Sequence, residues 1–167
     1  MIQKTPESDG FKMPLRDSLQ RETVDISSAV TRNMDKKRVL LVEDNSASRE
    51  LMALILGKSG FEVVEATTGF EGIHQARTAR PDLIIMDLGL PEMTGAEAIA
   101  RLKTDPRTMN IPVIVNTAFP NGSPLVERAV AAGAVEIIYK PNDFSALRAT
   151  VARYLSSEPA SFTEILR

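Results

Sequence analysis

Between Arg38 and Leu155, five short apolar runs alternate with five segments of helical spacing, and no other feature limits the fold as much. The runs are "RVLLV" (38–42), "FEVVEA" (61–66), "DLIIMD" (82–87), "IPVIVNTA" (111–118) and "VEIIYK" (135–140). Each is short and bounded by turn residues, the pattern of a strand rather than of a buried helix. "NSASRELMALILGKSG" (45–60) begins on a cap at Asn45 or Ser46, carries Leu51, Leu54 and Ile55 at helical spacing, and stops at Gly60. "GFEGIHQARTA" (69–79) is the second helix, and "TGAEAIARLKTD" (94–105) the third, with Ala98, Ile99 and Leu102 inward. "SPLVERAVAAG" (123–133) tolerates Pro124 in its first turn, and "NDFSALRATVARYL" (142–155) is expected to be capped by Asn142. Strictly alternating strands and helices imply an α/β fold, a parallel sheet covered on both faces.

The third run poses a chemical problem. Leu83 to Met86 and Leu88 are apolar, yet Asp87 stands bare among them. An apolar run of this kind is a strand buried on both faces. A charge at its end is costly unless compensated. The turn that follows, Gly89 to Gly95, ends the strand and puts Asp87 at its carboxyl edge, where open α/β sheets carry their chemistry. The other strands end in Glu43-Asp44, in Asn116-Thr117-Ala118 and in Lys140-Pro141. Neighbouring parallel strands lie about 4.8 Å apart, so these ends share one edge.

Singly, each ending has a plain reading: a helix cap at Asp44-Asn45, an ordinary strand end at Thr117, a turn at Lys140-Pro141. Together they place three acids, a hydroxyl and an amine at one edge. Three close carboxylates raise one another's pKa and call for a cation. Oxygen ligands without His or Cys point to a hard divalent ion, with Mg²⁺ the natural candidate. Mg²⁺ retains waters and leaves room for a phosphate oxygen. Lys140, the Thr117 hydroxyl and the adjoining Ala118 suit the remaining oxygens of a phosphoryl group, and Asp87 between the two sets is the nucleophile that would form an aspartyl phosphate.

Composition narrows the alternatives. The 167 residues favour one domain with tails, and a 43% hydrophobic content supports a core. No cysteine is present, which excludes disulfides and thiolate metal sites. The single histidine, His74, cannot build a histidine cluster and reads as a surface residue of the second helix. A net charge of −2 with interspersed signs gives no reason to expect nucleic acid as a partner. No apolar run approaches the roughly 18 residues of a membrane span, and no signal peptide is visible, so a soluble, cytoplasmic protein is expected. Met86 and Met93 are expected to pack.

Residues 1–37 are polar and irregular, with a loose helical spacing of Leu15, Leu19, Ile26, Val30 and Met34. They are expected to form a mostly disordered or partly helical arm, followed by a domain over 38–155 and a tail over 156–167.

"LLVEDN", "IIMDLGLPEMTG", "IPVIVNTA", "AAGA" and "YKP" together resemble the receiver domain of two-component response regulators, the CheY-like superfamily. The resemblance implies a flavodoxin-like (βα)5 sheet of order 2-1-3-4-5. It implies that Asp87 accepts a phosphoryl group and that Asp44 and Asp87 ligate Mg²⁺. Glu43 would bind the ion through water and the Gly89 carbonyl would ligate it directly. Thr117 is similar to the switch hydroxyl, Lys140 to the conserved amine, and the Lys140-Pro141 bond is expected to be cis. The donor would be a phosphohistidine on a sensor histidine kinase or a histidine phosphotransfer protein. Gly89 and Phe119 would flank the water path to the acyl phosphate. No helix-turn-helix or catalytic motif follows residue 155, so output is expected through the face of the fourth helix, fifth strand and fifth helix. That surface would bind a downstream protein or a second copy, as a switch or as a relay.

The sequence departs from the family at one place. The aromatic residue expected three positions before the lysine is Ile137, and Tyr139 lies about 6.6 Å along the same side of the strand. A stiffer or differently routed switch through Thr117, Ile137 and Tyr139 is therefore expected. Two other readings are weaker. A Mg²⁺-dependent aspartate-nucleophile phosphohydrolase needs a general acid two residues after Asp87, where this chain has Gly89. An unphosphorylated scaffold would not need all of Glu43, Asp44, Asp87, Thr117 and Lys140. The chain is thus read as a phosphoacceptor rather than a turnover enzyme.

Overall fold

A computed structural model describes residues 36–141 and 143–156. The amphipathic spacing over 15–34 and the tail from 157 onward lie outside these residues. The elements are β1 (Arg38–Val42), α1 (Ser46–Lys58), β2 (Glu62–Ala66), α2 (Gly69–Ala79), β3 (Leu83–Met86), α3 (Gly95–Thr104), β4 (Val113–Thr117), α4 (Pro124–Ala132), β5 (Glu136–Tyr139) and α5 (Phe144–Leu155). The strands form one parallel sheet of order β2-β1-β3-β4-β5, the expected flavodoxin-like arrangement.

Period-two alternation sorts the strand residues between two cores. On one face Leu40, Val42, Ile84, Met86, Val113 and Val115 meet α2, α3 and α4 through Ile73, Ile99, Leu102 and Val126. On the other, Val39, Leu41, Leu83, Ile85 and Ile114 meet α1 and α5 through Met52, Leu56, Leu147 and Val151. All four residues of β3 are fully buried, as a central strand covered on both sides requires. Each large apolar side chain so buried contributes about 1.5–3 kcal/mol relative to exposure.

Side-chain caps end most helices. The Asn45 side chain accepts from the Ser48 N–H, and Thr94 and Glu97 form a reciprocal capping box at α3. Gly133, at φ 109°, closes α4 in the left-handed region. One expectation changes. The cap of α5 is Asp143, whose carboxylate accepts from Ser145 N–H, while Asn142 lies outside the described residues. In α1 the buried stripe is Met52 and Leu56, one turn apart; Leu51 and Leu54 are exposed. The leucine spacing is helical, but it marks the face turned away from the sheet. His74 is exposed, and Met86 and Met93 are buried, as expected.

Asp105 closes α3 and binds Arg107 and Arg77, the latter at 2.7 Å from the last turn of α2. Hydrogen bonds from Arg107, then from Arg77, hold its carboxyl far below the ordinary carboxylate range. A carboxyl depressed on folding adds stability above its unfolded pKa of about 3.9 and loses it as pH falls toward the folded value. Asp105→Asn should therefore lower Tm at neutral pH. Thermal melts across pH should show its deficit against wild type holding above about pH 4 and closing below it.

Candidate functional site

Strand register aligns the chemistry. Val42 pairs with Met86, and the Asp87 N–H continues the ladder by donating to the Val42 carbonyl at 3.0 Å. Thr117 pairs with Tyr139, and the Lys140 N–H donates to the Thr117 carbonyl at 2.8 Å. The residues that follow β1, β3 and β5 therefore leave the sheet at one edge.

There the Lys140 ammonium bridges two carboxylates, 2.8 Å from Asp87 Oδ2 and 2.6 Å from Glu43 Oε2. Glu43 is 2% exposed and Asp87 9%. Asp87 Oδ1 also accepts from the Gly89 N–H at 3.2 Å. Burial pushes the Glu43 carboxyl up, the Asp87 charge adds to that, and the Lys140 hydrogen bond pulls the other way. Burial alone would lower the Lys140 ammonium, but hydrogen bonds and charge from Asp87 and Glu43 outweigh it and hold the ammonium above its ordinary value. Asp44 is the exposed member, and one carboxylate oxygen each from Glu43, Asp44 and Asp87 lie within 4.8 Å of one another. This oxygen-only donor set, tightly grouped and only part-neutralised by one lysine, fits a hard divalent ion such as Mg²⁺.

The turn after β3 is shaped by a close approach. A Cβ on Gly95 would stand 2.0 Å from the Asp87 carbonyl oxygen, and the Gly95 N–H donates to the Leu88 carbonyl at 3.1 Å. Only glycine lets α3 begin this close to the Asp87 backbone.

Thr117 is fully buried, and its hydroxyl oxygen accepts from the Phe119 N–H at 3.2 Å rather than bonding Asp87. Ala118 is exposed beside it. The Phe119 ring covers Gly89, with Cε2 3.5 Å from where a Gly89 Cβ would stand. Ile137 packs into the core beneath α4, and the Lys140-Pro141 bond is cis. Tyr139, on the same side, is 37% exposed and donates through Oη to Asn121 Oδ1 at 3.1 Å. Sequence reasoning missed Asn121, which stands in an irregular loop with no periodic signal. It also missed Arg49, whose guanidinium reaches the Glu43 carbonyl at 2.9 Å. A cation in the first turns of a helix was the available signal for that residue.

A five-stranded sheet of this order, with acids and a lysine at its carboxyl edge, defines a receiver. The family model for the response regulator receiver domain matches residues 39–152, and the chain belongs to that family, part of two-component signalling. The polar-differentiation response regulator DivK of Brucella anthropi is 38% identical over 119 residues, 71% of this chain and 96% of the relative; DivK of Brucella ovis is 37% identical over the same shares. A CheY-like receiver domain protein from Methanospirillum hungatei superposes with a TM-score of 0.68 at 26% identity, covering 72% of this chain and 94% of that one. The receiver domain of a sensor histidine kinase from Pseudomonas aeruginosa also gives 0.68 at 26% identity, covering 73% and 99%, and carries a magnesium ion coordinated in its active-site cleft. No helix among the described residues is long and apolar enough to cross a membrane.

Gly95→Ala should cost about 3 kcal/mol, the upper end of overpacking costs, because the added methyl overlaps a backbone oxygen rather than a flexible side chain. Urea unfolding of the variant, read as a fall in midpoint at constant slope, checks this.

Proposed function

We propose that this chain is a cytoplasmic phosphoacceptor in which Asp87 takes a phosphoryl group from a phosphohistidine on a sensor kinase or histidine phosphotransfer protein. The observation that carries this reading is the Lys140 ammonium 2.8 Å from Asp87 in a cluster with Glu43 and Asp44. The receiver unit is taken as residues 38–155.

An Asp87 carboxylate oxygen attacks phosphorus in line, the phosphorus–nitrogen bond breaks, and the imidazole leaves with the electron pair of that bond. Lys140 accompanies the charge on the transferred oxygens, and Thr117 and the Ala118 N–H take the others. Glu43, Asp44, Asp87 and the Gly89 carbonyl would hold Mg²⁺, which when bound supplies charge neutralisation for the phosphoryl oxygens. Positioning supplies the rest of the rate. Exposed Leu51 and Leu54, with a cavity of about 220 Å³ between Met52, Lys140 and Phe144, offer an incoming donor an apolar foothold.

Occupation of Asp87 draws the Thr117 hydroxyl off the Phe119 N–H and loosens the loop over residues 118–123. With Ile137 held in the core, the aromatic that senses this shift is Tyr139, through Asn121. The consequence is a changed α4–β5–α5 face, which binds a downstream protein or a second copy.

Incubation with a phosphorylated kinase should label the wild-type chain, and Asp87→Asn or EDTA should abolish the label; persistent labelling of Asp87→Asn would end the proposal. Phe119→Ala should shorten the life of the acyl phosphate, read as faster loss of label in a chase, because its ring limits water over Gly89. A beryllofluoride complex should show Tyr139 parted from Asn121; an unaltered bond there, with the α4–β5–α5 face rearranged, would sink the rerouted switch.

A further inference from the structure

Arg49 takes no part in the chemistry above, yet it stands where a helix disfavours a cation. It is the fourth residue of α1, close to an N-terminus that already carries partial positive charge. A local conflict of this kind is expected where function imposes it. The side chain resolves the conflict by turning back on the preceding loop. Its Nη1 donates to the Glu43 carbonyl at 2.9 Å and reaches the Asp44 carbonyl at a longer 3.4 Å. Its Nε is 3.1 Å from Glu65 Oε2 on β2. Its own N–H donates to the Asn45 carbonyl at 2.9 Å. The side chain is only 16% exposed.

These contacts converge on the turn that carries two of the three clustered carboxylates. Glu43 is held from the strand side as well, its N–H donating to the Ala66 carbonyl at 3.0 Å. Asp44 is exposed, and its carboxylate projects from the same stretch of backbone. That backbone is what the guanidinium grips. A planar fork can take a carbonyl with one nitrogen and a carboxylate with another; an ammonium cannot do both in fixed geometry.

We infer that Arg49 is a positioning residue for divalent-cation binding: by tying the Glu43 and Asp44 carbonyls to Glu65, it fixes the backbone from which both carboxylates project. The inference rests on the Mg²⁺ reading proposed above. It makes a prediction opposite in sign to simple electrostatics. A guanidinium near a cation site repels the ion, so removing its charge alone would tighten binding. Removing an anchor of the ligands weakens it, by about 10- to 100-fold where such partners have been deleted elsewhere.

The test is calorimetric titration of MgCl2 into the full-length chain for wild type, Arg49→Gln, Arg49→Lys and Glu65→Gln, with Tm measured in EDTA. Arg49→Gln should weaken Mg²⁺ binding about tenfold or more. Arg49→Lys, which keeps the charge and loses the fork, should also weaken it. Glu65→Gln, which frees the guanidinium from β2, should shift affinity the same way by less. A purely structural role would lower Tm in EDTA and leave the Mg²⁺ affinity of the folded protein alone. Affinity unchanged or tightened in Arg49→Gln overturns the inference; if that variant does not fold, an unchanged Glu65→Gln does so. Wild type that fails to bind Mg²⁺ removes the magnesium reading itself, whereas tight wild-type binding with unaltered variants removes only the role of Arg49.

Discussion

One ammonium group holds the site together. Lys140 lies within hydrogen-bond reach of both Glu43 and Asp87, two nearly buried carboxylates that would otherwise face each other across the sheet edge. Stranding buried charges by deleting their partner costs about 3–5 kcal/mol. The arrangement is nevertheless incomplete as electrostatics. One positive charge stands against three acids, and burial still pushes Glu43 upward. That residual negative charge suits a divalent cation, whose own charge would in turn offset that of an incoming phosphoryl group.

The lysine reaches both acids only because of register. β1, β3, β4 and β5 start at unrelated points in the sequence, yet the pairs Val42–Met86, Met86–Val115 and Val115–Ile137 set them in one register, with Thr117 and Tyr139 two residues beyond that level. A one-residue slip of β3 would turn Asp87 toward a helix layer and its apolar neighbours toward the edge. The two cores prevent this, since Ile84 and Met86 belong to one and Leu83 and Ile85 to the other. Packing thus does chemical work, and the tight turn at Gly95 keeps α3 close against the Asp87 carbonyl.

Legibility differed by kind of signal. Strands and helices were readable almost to the residue, because short apolar runs and capped amphipathic segments are local patterns. Glu43, Asp44, Asp87 and Lys140 were readable because each ends a run. The facing of α1 was not: Leu51 and Leu54 obey helical spacing as well as Met52 and Leu56 do, and only the docking angle on the sheet chooses between them. Asn121 was invisible for a different reason. Its contact with Tyr139 spans a loop whose path depends on tertiary packing.

Sequence alone determined the element order, the doubly covered central strand and the acid, hydroxyl and amine residues at strand ends, since periodicity and residue type are properties of the chain itself. The tertiary structure decided which atoms meet: that Lys140 serves two carboxylates, that Thr117 engages Phe119, that Arg49 grips the turn bearing the acids. Hydrogen bonds are sensitive to tenths of an ångström, and separations between distant segments are set by register and core packing, which no local pattern encodes.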